Sequence, residues 1–225
     1  MSIPTETTPN YVFAPKARTT LRASCPVATD LLVLANGTRP RFRPISPDDR
    51  DRLARLFARL SPESRHRRFL SPKRELTPQE LVYLTDVDHV THEATAAVDE
   101  RDGSIVAAGR YAQFPDRVAV ADVAVTVADE LQGMGIGTVL ARCLVDRARA
   151  NGFTRLTATT LWENRPARAL LRRLRFRARA SHGSEIELEL NLKPTSDSTR
   201  ATAWLRVHKD DLATAHYGPR ANEDR

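Results

Sequence analysis

Apolar positions recur at two different periods along this chain, helical in its first half and strand-like in its second. Leu53, Leu56, Phe57 and Leu60 fall at i, i+3, i+4 and i+7, behind Pro47 in a first-turn position and the pair Asp48 and Asp49, which predicts an amphipathic helix. Ser61-Pro62-Glu63 opens a second helix. Thr77-Pro78-Gln79-Glu80 reads as a capping box, with Leu81 and Leu84 behind it, and opens another. Before them, positions 31–35 and 38–45 flank Asn36-Gly37, which supplies the two positive-φ residues of a tight hairpin turn. Pro40 and Pro44 place the second of those strands at an edge or end it early.

From Glu93 onward the texture changes to short Ala/Val-rich runs at 94–98, 105–112 and 118–127, the first two joined by a hairpin at Asp102-Gly103. In the third run valines occupy even positions at Val118 and Val120, then odd ones at Val123, Val125 and Val127. Because a one-residue phase change flips every side chain, a bulge is expected between Ala121 and Thr126. A strand buried on both faces, with no phase to lose, explains the same valines. Leu140, Cys143, Leu144 and Ala148 then form one stripe of a helix that ends near Asn151-Gly152. A strand at 155–161, a helix from Arg165 to about Leu174 with Pro166 in its first turn, and two closing strands at 176–180 and 185–190 complete the pattern.

These elements predict an α/β (α+β) domain over residues 29–193. Its central sheet is mixed and mostly antiparallel, with a splayed, bulged strand and flanking helices. Residues 1–28, mixing Pro, Thr and Ser without a period, read as a flexible arm. Residues 194–225 read as a polar tail in which Trp204, Val207, His208 and Leu212 are spaced for a short docked helix.

The 225 residues carry a formal charge of +7, mostly through arginine, which suits phosphates, nucleic acid or acidic proteins without choosing among them. Arg52, Arg55 and Arg59 recur at helical spacing near Asp48, Asp49 and Asp51, as on a solvated helix face. Aromatic residues make up 6% and are not interleaved with the arginines as a base-stacking platform requires, so nucleic acid ranks last. No stretch approaches the ~20 apolar residues of a membrane span, and no leader pattern opens the chain, so a soluble, cytoplasmic protein is expected. Cys25 and Cys143 lack the spacing of a metal or redox site and read as small packed side chains; no metal is expected.

One run stands apart for its chemistry. Gln132-Gly133-Met134-Gly135-Ile136-Gly137-Thr138 lies between a strand and a helix start, where unpaired N–H groups and the positive end of the helix dipole can hold a phosphate. Dinucleotide-binding turns require G-x-G-x-x-G and nucleotidase loops a closing Gly-Lys-Ser/Thr; neither pattern is met here. A tight strand-to-helix turn with no ligand remains a second reading of the glycines.

The string Q-G-M-G-I-G resembles the Q/R-x-x-G-x-G/A signature of GNAT acyltransferases, and the resemblance extends over residues 31–192, including Glu163-Asn164-Arg165-Pro166. Within that family the runs RFRPISPDDR, LSPESRHRRF, YLTDVDHVTH and VADELQGMGIG are similar to the catalytic domain of bacterial Pat-type protein-lysine acetyltransferases. The resemblance implies acetyl-CoA as cosubstrate, its pyrophosphate on the amides of residues 132–138, its pantetheine along Val125, Thr126 and Val127, and Asn164 near the pantetheine arm. Arg168, one turn beyond Asn164, is placed to meet the 3′-phosphate or pyrophosphate. Relatives place a basic glutamate on the strand before the turn; the matching position is Asp122, one methylene shorter and the only charged residue in its apolar run. A base is needed because only about one lysine amine in 2,500 is neutral at pH 7. Pairing with an arginine is the structural alternative for Asp122. The tyrosine that many relatives use as general acid is replaced by Leu171, and the glycine they carry before Phe176 is Arg175. His89 and His92 fall in a segment resembling a regulatory or acceptor-side element. The expected acceptor is a protein lysine, with a small-molecule amine or a non-catalytic acyl-CoA-binding regulatory module as alternatives.

Overall fold

The computed structural model describes Leu34 and residues 37–192. The expected arm of residues 1–28, most of the first hairpin strand and the tail of 194–225 lie outside them. Seven strands form one mixed sheet in the order β1-β2-β3-β4-β5-β7-β6. They are β1 (Pro40–Pro44), β2 (His92–Asp99), β3 (Ile105–Gln113), β4 (Val120–Val127), β5 (Arg155–Leu161), β6 (Arg177–His182) and β7 (Glu185–Asn191). Every neighbouring pair is antiparallel except β4 and β5, which run parallel because helix α4 (Ile136–Ala150) carries the chain across between them.

Helices α2 (Pro62–Phe69) and α3 (Pro78–Thr85) begin where the caps predicted, whereas α1 (Arg50–Arg59) starts three residues later than Pro47, which instead opens a short 3-10 turn, Pro47–Asp49. The Ser61 hydroxyl accepts from the Ser64 N–H at the start of α2, and Thr77 and Glu80 close the capping box of α3. Leu53 and Leu56 of α1 pack with Ile45, Ala94, Ala96 and Ile105, while Leu81 and Leu84 of α3 lie against the same cluster, so these helices cover one sheet face. The other face carries α4, whose Leu144, Val145 and Ala148 meet Tyr111, Ala121 and Val123. A Cβ at Gly109 would come within 2.9 Å of a Leu144 methyl, so this strand position lets helix and sheet approach closely. Cys143 is buried on that helix as expected, while Cys25 lies outside the described residues.

The bulge expected between Ala121 and Thr126 is absent. β3 and β4 pair in unbroken register from Ala107↔Val127 to Gln113↔Ala121, and shifts fall instead at Ala97/Val98 and Ala178/Ala180. The apparent phase change has another cause. Val118 is 75% exposed and lies outside the strand, before Ala119 turns the chain at φ 59°, and Val120, the partly exposed first residue of β4, simply lies on the face opposite to Val123, Val125 and Val127. The splay does not depend on a bulge either. β4 and β5 pair only through Val120↔Arg155, Ala121↔Leu156 and Asp122↔Thr157, and beyond Asp122 they part around a cavity lined by residues 123–125 and 158–160.

Helix α5 (Arg165–Arg173) follows β5 and ends with Arg175 at φ 68°, where the Phe176 N–H bonds to the Leu171 carbonyl. A non-glycine residue in this left-handed position costs about 1 kcal/mol; burial of Phe176 and Leu171 in the core secures the helix end. Among the described residues, no helix is long and apolar enough to cross a membrane.

Candidate active site

The glycine run forms the tight passage from β4 to α4. Gly133 and Gly135 hold φ of 79° and 93°, values that L side chains rarely adopt, and Gly135 stands at the N-cap of α4 with no side chain capping the helix. The Thr138 N–H donates to the Gly135 carbonyl at 2.9 Å, which leaves the Ile136 and Gly137 N–H groups at the positive end of a 15-residue helix. Gln132 braces the turn from below, donating through Nε2 to Asp129 Oδ1 at 2.9 Å, the Val127 carbonyl at 3.2 Å and Ser64 Oγ at 3.3 Å. Asp129 accepts from the Ser61 N–H at 2.7 Å, and α2 is thereby tied to the same turn.

A groove of about 390 Å³ runs past this turn. Val125, Thr126, Val127, Gln132, Gly133, Gly135, Gly137, Thr138 and Asn164 all line it. Three of the expected residues do not. Met134 points to solvent, Ile136 is fully buried against Leu131 and Leu140, and Arg168 turns back over the Trp162 ring at 4.1 Å while donating to the Trp162 carbonyl at 2.7 Å. Arg173, one and a half turns further along α5, lines the groove instead, and α2 adds Ser64, Arg67 and Arg68. None of these four is marked by a motif in the sequence. The run Arg65-His66-Arg67-Arg68 was a visible basic cluster, yet nothing local showed that α2 would cross the mouth of the splay.

The groove continues into the gap between β4 and β5, sharing Arg67, Arg68, Val125, Asn164, Ala167 and Leu170 with it. Asn164 caps α5, its Oδ1 accepting from the Ala167 N–H at 3.2 Å, while presenting itself to both spaces. Inside the gap the buried Thr160 hydroxyl has no hydrogen-bond partner among the described residues. An elongated ligand with an anionic end and an amide-bearing arm fits this set: backbone N–H groups and arginines at one end, a narrow apolar slot with an unsatisfied hydroxyl at the other.

Asp122 stands at the fork, the last residue of β4 to pair with β5, opposite Thr157. Burial pushes its carboxyl up to about 6, against the lowering influence of the Arg110 and Arg68 charges; nearby Glu187 adds to the rise and a hydrogen bond from Thr157 opposes it. At neutral pH the group is therefore largely ionised yet basic enough to accept a proton. Leu171, at the position of the relatives' acid, is buried in the core and offers no proton. His89 and His92 sit elsewhere, His89 Nδ1 lying 2.9 Å from the buried Glu93 and the His92 ring stacked near Tyr83.

Similarity to known proteins agrees with this architecture. Residues 54–176 match the model of the acetyltransferase (GNAT) family. The chain is 37% identical over 145 residues to the acetyltransferase PA5475 of Pseudomonas aeruginosa, covering 64% of this chain and 77% of that one. It is 33% identical over 133 residues to the acetyltransferase Pat of Mycolicibacterium smegmatis, covering 59% of this chain and only 40% of that longer relative. The crystal structure of the GNAT domain of S. lividans PAT superposes with a TM-score of 0.65 at 28% identity, covering 71% of this chain and 94% of that domain. With the family model spanning over half of its length, this chain belongs to the acetyltransferase (GNAT) family.

Proposed function

We propose that this enzyme transfers the acetyl group of acetyl-CoA to the side-chain amine of a protein lysine, with Asp122 as the base. As a GNAT acetyltransferase it uses acetyl-CoA as cosubstrate. On this reading the pyrophosphate lies on the N-terminus of α4 beside Arg67 and Arg173, and pantetheine enters the gap along Val125 and Val127 toward Thr160. The attacking amine gives its proton to Asp122, directly or through a water. Its nitrogen bonds to the acetyl carbon, the C–S bond then breaks, and CoA leaves as thiolate to be protonated from solvent. The observation that carries the reading is Asp122 itself, a carboxyl with its pKa raised to about 6 at the point where β4 and β5 part beside the groove. Likeness to relatives named Pat, together with the segments that resemble Pat-type protein-lysine acetyltransferases, supports lysine as the acceptor.

The test is incubation with labelled acetyl-CoA and a cell extract separated into protein and small-molecule fractions, with Gly135→Glu as the control for cofactor binding. Gly135-dependent label on protein lysines is the expected result. Label confined to small amines would move the acceptor there, and acetyl-CoA binding without any label would leave a regulatory module.

A further inference from the structure

Helix α5 divides its side chains among three directions. Pro166, Ala169, Leu170 and Arg173 line the cofactor groove, and Leu171 and Leu174 pack into the core. Arg165, Arg168 and Arg172, at i, i+3 and i+7, form a separate stripe outside both. Arg175 and Arg177 continue the charge beyond the helix end, so residues 165–177 hold six arginines and no carboxylate, against a formal charge of +7 for the whole chain.

Elsewhere the protein answers such charges. Arg52, Arg59 and Arg67 on α1 and α2 pair with Asp49, Glu130 and Glu63, and Arg179 on β6 pairs with Glu187. Arg165 and Arg172 are exposed and make no ion pair or side-chain hydrogen bond among the described residues, and the same holds for Arg175 and Arg177. At the head of the stripe stands Trp162, 53% exposed. Its main-chain N–H donates to the Ser184 carbonyl at 2.7 Å, its carbonyl accepts from Arg168 at 2.7 Å, and the Arg168 guanidinium lies 4.1 Å from its ring centre. A large apolar ring held in place and bordered by cations can bind a partner with little further ordering cost.

We propose that Trp162 and the stripe of Arg165, Arg168 and Arg172 form a docking surface for an acidic face of the acceptor protein. This rests on the reading of the acceptor as a protein. Trp162 directly follows β5, whose residues 158–160 line the gap, and Asn164, two positions on, faces both gap and groove. A partner seated here is held beside the mouth of the site, and its lysine is presented by proximity. Aspartate and glutamate side chains answer the guanidinium forks, and an apolar side chain covers the indole. Nucleic acid fits less well. Arg168 already covers Trp162, the one exposed aromatic ring among the described residues, so no platform remains for successive bases.

The full chain is compared as wild type, as the double variant Arg165→Gln with Arg172→Gln, and as Trp162→Ala. Initial rates of label transfer from acetyl-CoA are measured to the protein fraction of a cell extract and to Nα-acetyl-lysinamide, and fluorescent poly-L-glutamate is titrated at low and high salt. In both variants transfer to protein is expected to fall at least about tenfold, while transfer to the small amine and affinity for acetyl-CoA stay within about twofold. Poly-L-glutamate is expected to bind the wild type, less tightly at high salt, and to bind the double variant at least about fivefold more weakly. Unchanged transfer to protein in both variants, or an equal loss on the small amine, would overturn the proposal. So would a DNA duplex of matched charge that binds more tightly than poly-L-glutamate and is released by the double substitution. Should Trp162→Ala not fold, the double variant still decides. If no protein takes label from the wild type, the reading of the acceptor as a protein fails, and poly-L-glutamate binding that survives the double substitution would separately overturn the surface.

Discussion

Two carboxylates on this sheet meet opposite treatment. Glu93, on β2 beneath α4, is 1% exposed and fully engaged: Arg147 donates to one oxygen through Nε at 2.9 Å and Nη2 at 2.7 Å, and His89 lies 2.9 Å from the other. Asn151 completes the surroundings by bonding the His89 carbonyl at 3.0 Å and the Tyr111 hydroxyl at 2.6 Å. Asp122, on β4 and facing the other way, has a single hydroxyl partner and two arginines acting from a distance. A buried charge that is bonded on both oxygens ties elements together. One that is solvated by fields more than by contacts keeps a proton affinity near neutrality, and it is placed where the sheet opens.

The sharpest way to break this contrast is to strand Glu93. Arg147→Met leaves a buried carboxylate without its strong partner and is expected to destabilise the fold by about 3–5 kcal/mol in denaturant titrations, with Glu93→Gln on top recovering much of that loss. At the other carboxylate the expected loss is in rate. Asp122→Asn should lower turnover by about a hundredfold to ten-thousandfold with little change in acetyl-CoA affinity, as for removal of a general base; unchanged turnover between pH 6 and 9 would remove it from the mechanism. The same variant should be more stable than the wild type. Because the folded pKa of Asp122 lies above its unfolded value, its contribution favours folding at low pH and is lost as pH rises from about 4 through about 6. The gain of Asp122→Asn, by at most about 3 kcal/mol, should therefore appear above pH 6 and vanish below pH 4.

Smaller effects sharpen the comparison. His89→Ala should cost about 1 kcal/mol, since Arg147 still satisfies Glu93, and thermal unfolding would register it. Thr157→Val removes the hydrogen bond that favours the Asp122 carboxylate. The acid limb of the pH–rate profile should then move upward from about 6 by roughly half a unit, and a downward movement would contradict the assigned environment.

Much of the architecture was legible along the chain. Period, caps and turn residues are local: the capping box at Thr77, the Asp102-Gly103 hairpin, the stripe of α4 and the glycine passage all concern residues a few positions apart, and each element lies where these signals put it. The expected bulge failed for a related reason. Val118 precedes the strand, which begins only after Ala119 turns, and Val120 takes the opposite face at the strand's first residue; side-chain character alone shows neither where pairing starts nor that a valine lies on the less buried face.

The site was legible only along its own strand and turn. The residues that line the groove near Gly135 follow from the glycine motif, but Ser64, Arg67 and Arg68 arrive from α2 and Arg173 from α5, while Arg168 is diverted onto Trp162. Sequence by itself determined which segments become helix or strand and that an anion-binding turn opens α4, because those outcomes depend on backbone preferences within a few residues. Only the tertiary structure decided which arginines face the groove, and that Glu93 is paired with Arg147 while Asp122 feels the charges of Arg110 and Arg68 from a distance. Those outcomes depend on which surfaces pack together, and both the Coulomb interaction and the loss of solvation follow distance in space.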